Sequence, residues 1–190
     1  FGLIAPFLPL EAEARGVPAL EVGLVFSALP VGRFVASVLT ARWLGGYRGS
    51  VGGLETLLCG GCCSGSRVLV VSGTAVVGLG TSCLVFLSDT RGEGYFFWAA
   101  GLRFLAGVGA GVAEAGSLEI AGDVCGAEMV SHLAARAGWH GLGLMGGAPA
   151  GGVLFTIMKG SMGTLLVYAG AIFLIAILQL ILLPTPQNIL

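Results

Sequence analysis

The sequence predicts an all-α polytopic membrane protein, with five full transmembrane helices and the truncated end of a first one. Three observations predict it. Only 10% of the 190 residues are charged and 56% are hydrophobic, with a mean hydropathy of +0.97. Soluble domains carry about 25% charged residues, so lipid must serve as part of the solvent here. The charges also cut the chain into five apolar runs of 20 to 22 residues. A helix rising about 1.5 Å per residue needs about 20 residues to cross a bilayer. Finally, there are 34 glycines. Each would cost a soluble helix roughly 1 kcal/mol against alanine, but in a membrane glycine lets helix backbones approach closely.

The elements follow in order. Phe1–Leu10, FGLIAPFLPL, is apolar but about half a span, and reads as the end of a helix whose start is missing. Because the chain opens on Phe1, it is expected to begin inside a longer reading frame. The full spans are expected at 20–41, 68–88, 94–113, 137–158 and 163–183, the last ending before Pro184 and Pro186. Arg33 interrupts the first and Arg103 the third. No alternation at period two runs through these segments, which argues against a β-barrel. Residues 42–67 form a loop holding Arg42, Arg48 and Arg67, and the bias of Lys and Arg places it in the cytoplasm. Residues 114–136 form the second long connection and are expected to include helix ends that extend past the membrane.

Composition also excludes function classes. The net charge is −1 and no basic patch appears, so nucleic acid is not an expected partner. The glycines at 107, 109 and 111 do not form a dinucleotide fingerprint and lie in an apolar span. Cys59, Cys62 and Cys63 form CxxCC without a second ligand pair, so no metal site is expected and loop thiols or palmitoylation fit them better. His132 and His140 pair with no acid in a hydrolase pattern, and no nucleophile–base set is visible. No catalytic residue and no cofactor is expected.

The residues that can carry function are those whose presence in lipid is costly. A charge at the bilayer centre costs at least ~2.5–3.5 kcal/mol on insertion scales. Arg33 and Arg103 sit near the middle of their runs, at what the spans suggest is similar depth. Each is either part of a substrate or ion pathway or a structural arginine neutralised by a neighbouring helix. No carboxylate is expected at that depth. Glu114 lies 11 residues from Arg103, about 16 Å along a helix, too far for a direct bond. Glu114 and Glu119, at the end of the expected span, are solvated interfacial acids or a gate or proton relay. Gly107 and Gly111 form one GxxxG, and Gly143, Gly147 and Gly151 repeat the same step, which suits close helix crossing. Pro149 removes a backbone donor inside that run, so a kink or weak point is expected.

Taken together, these residues resemble the amino-terminal six-helix half of a major facilitator superfamily transporter. APFLPLEAEARGV at 5–17 is similar to the end of that family's first helix and first outer loop. In particular it resembles the vesicular amine and polyamine transporter branch, where a Pro-Phe-x-Pro-x-Glu-x-Glu pattern leads to a glycine, here Pro6, Phe7, Pro9, Glu11, Glu13 and Gly16. RFLAGVGAG at 103–111 resembles the fourth-helix motif of proton-coupled members. GLGLMGGAPAGG at 141–152 resembles the fifth-helix antiporter motif, with Gly143, Gly147, Gly151 and Gly152 matching. Ala148 stands where the motif proline would be, and Pro149 comes one place later. In the loop after the second helix, Arg42, Gly45, Gly46 and Arg48 are a remnant of the family signature without its aspartate, and residues 50–65 look inserted.

The resemblance implies a major-facilitator-like half bundle that works by alternating access around a midplane site. It implies proton-coupled antiport of a small organic solute, as a fragment of a larger transporter, with the lipid bilayer, the solute, protons and a missing carboxy-terminal half or partner chain as partners. An amine-binding acid of the first helix would lie before Phe1. Arg103 is the expected central polar residue, Arg33 and Glu114 are further pathway candidates, and Gly143, Gly147, Pro149, Gly151 and Gly152 would flex or seal. The alternative is a non-transporting membrane scaffold or assembly subunit, which GxxxG faces suit equally well.

Overall fold

A computed structural model describes residues 9, 13, 16–50, 61–89, 93–125, 129–158 and 161–182. The described residues form five α-helices: α1 Ala19–Ser50, α2 Gly61–Cys83, α3 Glu93–Cys125, α4 Met129–Ile157 and α5 Ser161–Leu182. A short 3-10 helix, Leu84–Asp89, extends α2. No strand occurs among the described residues. The helix end expected in Phe1–Leu10 and most of the expected insertion at 50–65 lie outside them.

Four segments are long and apolar enough to cross a membrane: Ala19–Trp43, Ser66–Leu87, Gly94–Gly122 and Gly163–Leu182. The remaining expected span, 137–158, lies in α4. It is helical but is not among the four, because its glycines, His140 and Pro149 dilute its apolar content. The helix runs unbroken through Pro149. Many large apolar side chains face outward, including Phe34, Phe97, Leu174, Ile177 and Ile181. In water such a surface would drive aggregation; against lipid tails it is the expected exterior. The chain is an integral, multi-pass membrane protein.

Glycine sets the packing of the helices. On α3, Gly107 faces Leu29 and Gly111 faces Arg33, so α1 and α3 run parallel with α1 advancing in step. On another side of α3, Gly109 meets Gly73 and Gly116 meets Ser66, so α2 runs antiparallel to α3. A Cβ at Gly73 would come within 2.5 Å of the Gly109 carbonyl oxygen, so no larger residue fits that crossing without moving a helix. The α5 helix lies antiparallel along α2, tied by the Thr74 hydroxyl donating to Gln179 Oε1 at 2.8 Å. Val17, Val25, Leu84, Leu87, Tyr95, Ala99 and Leu165 form a core where α1, α3 and α5 begin and α2 ends. The turn into α1 uses Gly16 at φ 77°, a left-handed conformation that costs other residues energy.

The helices also run past several expected ends. The α3 helix continues through Glu114 and Glu119 to Cys125, and its apolar segment reaches Gly122. Residues 42–50 and 61–67, expected as loop, are helical. Charges do not bound these helices, because a charge that finds a partner need not leave the helix bundle.

Candidate functional site

The α1–α3 seam carries the charged candidates. In a helix of 3.6 residues per turn, positions 103, 107, 111 and 114 fall on one face. That face of α3 meets α1, where Phe26, Leu29 and Arg33 share a face for the same reason. Gly107 and Gly111 bring the backbones together, and the two arginines sit in the seam on opposite helices.

Arg33 is paired. Its Nε donates to Glu114 Oε2 at 2.7 Å and its Nη2 to Glu114 Oε1 at 2.8 Å. This fork of two parallel, charge-assisted bonds is the strongest geometry open to an arginine and a carboxylate. The Arg136 Nη2, from α4, lies 3.8 Å from Glu114 Oε1 and adds a second positive charge. Glu114 therefore ties α1, α3 and α4 at one point. The expectation that neither arginine has a carboxylate at its level is overturned for Arg33. It assumed that the two arginines lie at similar depth, whereas Arg33 faces Gly111, eight residues beyond Arg103 and about 12 Å along the axis. Parallel packing with this offset places Arg33 beside Glu114, which the spacing within α3 alone could not show. Glu119 is held too: the Ser66 hydroxyl donates to its Oε2 at 2.6 Å, joining α2 to α3.

Arg103 is different. It is 4% exposed, and its Nε and Nη2 have no hydrogen-bond partner among the described residues. Its guanidinium lies 5.4 Å from the centroid of the Phe26 ring, within cation–π range. Tyr168 and Tyr95 lie within electrostatic reach of it, and no described carboxylate does. Nε and Nη2 form the same edge that Arg33 turns to Glu114. A buried, unpaired donor edge is costly, and such a charge in a membrane marks a functional position by default.

The glycines divide into two groups. Gly107 and Gly111 are packing residues, each facing α1 backbone. Gly143 and Gly152 on α4 have nothing within 4 Å of a Cβ built on them, and Gly151 is buried. The four-residue repeat of α4 is therefore not packed along its length as that of α3 is. The Gly73–Gly109 crossing is not legible in the sequence, because its two glycines lie on different helices and neither stands in a GxxxG step.

Two curated relatives match this chain. The MFS-type transporter SLC18B1 of Rattus norvegicus is 24% identical over 191 aligned positions, 99% of this chain. The chain is a distant homologue of a major facilitator superfamily transporter. The protein of the same name from Mus musculus is 24% identical over 157 positions, 82% of this chain. The chain spans 38% of the length of the rat protein and 30% of the mouse protein. No family model matches the chain, and no solved structure matches it. The homology is to a transporter, not to an enzyme, and it agrees with the four membrane-spanning candidates.

Proposed function

We propose that the chain is the amino-terminal half of a secondary active transporter that exchanges a small organic solute for protons by alternating access. One observation carries the reading: Arg103 is buried at a helix seam with two guanidinium nitrogens, Nε and Nη2, unpartnered among the described residues. A purely structural arginine would be expected to have a carboxylate or backbone carbonyls on that edge, as Arg33 has in Glu114. The open edge suits an oxygen acceptor that arrives and leaves, from the solute or from a carboxylate of the other half.

In this reading the six helices would comprise five full spans and the end of a first one in Phe1–Leu10. The α4 span would complete its wall only against a further helix, which accounts for the open surface at Gly143 and Gly152. Gly143, Gly147, Pro149, Gly151 and Gly152 form the flexing or sealing element. Arg33, Glu114 and Arg136 form a charged clasp nearer the end that carries Arg42, Arg48 and Arg67, and that end faces the cytoplasm. Rocking of one half against the other would expose Arg103 to each side in turn.

The test is uptake by full-length protein carrying Arg103→Ala at normal surface expression. Loss of even one charge-assisted bond of ~1.5–3 kcal/mol in the transport step lowers uptake by at least about tenfold. Unchanged uptake removes Arg103 from the pathway.

A further inference from the structure

A second arginine has a setting that transport does not use. Arg67 stands one residue inside the apolar segment Ser66–Leu87, opposite the end of the apolar segment Gly163–Leu182. It is thus at the level where two neighbouring helices leave the hydrocarbon. Its Nη2 donates to the carbonyl oxygen of Leu180 on α5. The last four carbonyls of a helix have no partner within it, and a basic side chain can cap them. Its Nε is buried and has no hydrogen-bond partner among the described residues.

Directly beside it, α2 and α5 part to leave a groove of about 380 Å³ lined by Arg67, Val68, Val71, Ser72, Ala75 and Leu180. The walls are almost wholly apolar apart from the arginine and one hydroxyl. Val68 and Leu180 are largely exposed, so the groove opens toward lipid and not into the bundle. A cationic rim at headgroup level above an apolar trough of this shape matches an amphiphile with a negative head. Arg42, on the same end of α1, adds positive charge to that side of the membrane. Anionic lipids are drawn to such surfaces, and basic pockets between transmembrane helices hold their headgroups.

We propose that this groove binds one anionic phospholipid, with its phosphate against the guanidinium of Arg67 and one acyl chain along Val68, Val71 and Ala75.

Native mass spectrometry of the full-length protein tests this, with dioleoyl phosphatidylglycerol and dioleoyl phosphatidylcholine as probes that share chains and differ in headgroup charge. The expected result is one phosphatidylglycerol retained per protein, favoured at least about tenfold over phosphatidylcholine. Arg67→Gln should bring the two lipids near parity. Arg67→Lys keeps the charge and should keep most of the preference, so a folding defect in the glutamine variant does not decide the question. Ala75→Phe fills the trough and should weaken both lipids together. The proposal is overturned if phosphatidylglycerol has no preference, if Arg67→Lys loses it as fully as Arg67→Gln, or if Arg42→Gln removes it as fully as Arg67→Gln. The last result would mean bulk surface charge and not a site.

Discussion

Replacing Gly107 by alanine tests the α1–α3 seam at its tightest point. An added Cβ would press into the Leu29 carbonyl oxygen, far inside contact distance, and would lie 3.0 Å from the Arg33 nitrogen. Carbon and oxygen settle at about 3.3 Å even in a weak hydrogen bond, so the helices must part there by about 1 Å. Both neighbours are backbone, and no side-chain rotation relieves the clash. Overpacking of this kind costs typically ~1–3 kcal/mol. Parting the seam also stretches the Arg33–Glu114 fork from 2.7 and 2.8 Å, weakening bonds of a type worth ~1.5–3 kcal/mol. Together these give a destabilisation of about 3 kcal/mol. Gly101, on the same helix, supplies the control because a Cβ there meets nothing within 4 Å. Gly101→Ala should be neutral or stabilising by up to ~1 kcal/mol. Unfolding of the full-length variants by sodium dodecyl sulfate in mixed micelles, followed by far-ultraviolet circular dichroism, reads both. If Gly107→Ala is as stable as Gly101→Ala, the close parallel crossing of α1 and α3 is wrong.

Two further predictions separate packing from function. A double-mutant cycle of Arg33→Gln and Glu114→Gln should give a coupling of about 1–2 kcal/mol in the same unfolding assay, the upper part of the range for polar contacts between membrane helices; additive effects would mean that the fork does not form. Gly143→Val should leave stability within about 0.5 kcal/mol, since nothing described lies near it within the chain, yet lower uptake by the full-length protein. Normal uptake by that variant would remove α4 from the moving element.

Four of the five apolar runs were legible in the sequence, because an apolar stretch of about 20 residues with at most one charge fits little besides a membrane span. Arg33, Arg103 and Glu114 also stood out as charges with a reason to be where they are. The pairing among them was hidden. Arg33 and Glu114 are 81 residues apart and meet only because α1 and α3 run parallel with a fixed offset. Helix ends are hidden for a related reason: a charge in the sequence suggests water, whereas Glu114 is offset by Arg33 and Glu119 accepts a bond from Ser66. The Gly107–Gly111 step was readable as a packing face. Which helix it packs against was not, since four-residue spacing carries no address for its partner.

The proposed exchange of solute for protons would show as a solute-dependent pH change in proteoliposomes holding the full-length protein. With a proton gradient imposed, a panel of small organic solutes is added one at a time. The transported solute should dissipate the gradient, and Arg103→Ala should abolish this while the protein remains folded. A folded, correctly inserted wild-type protein that leaves the gradient untouched with every solute would contradict it and favour a membrane scaffold.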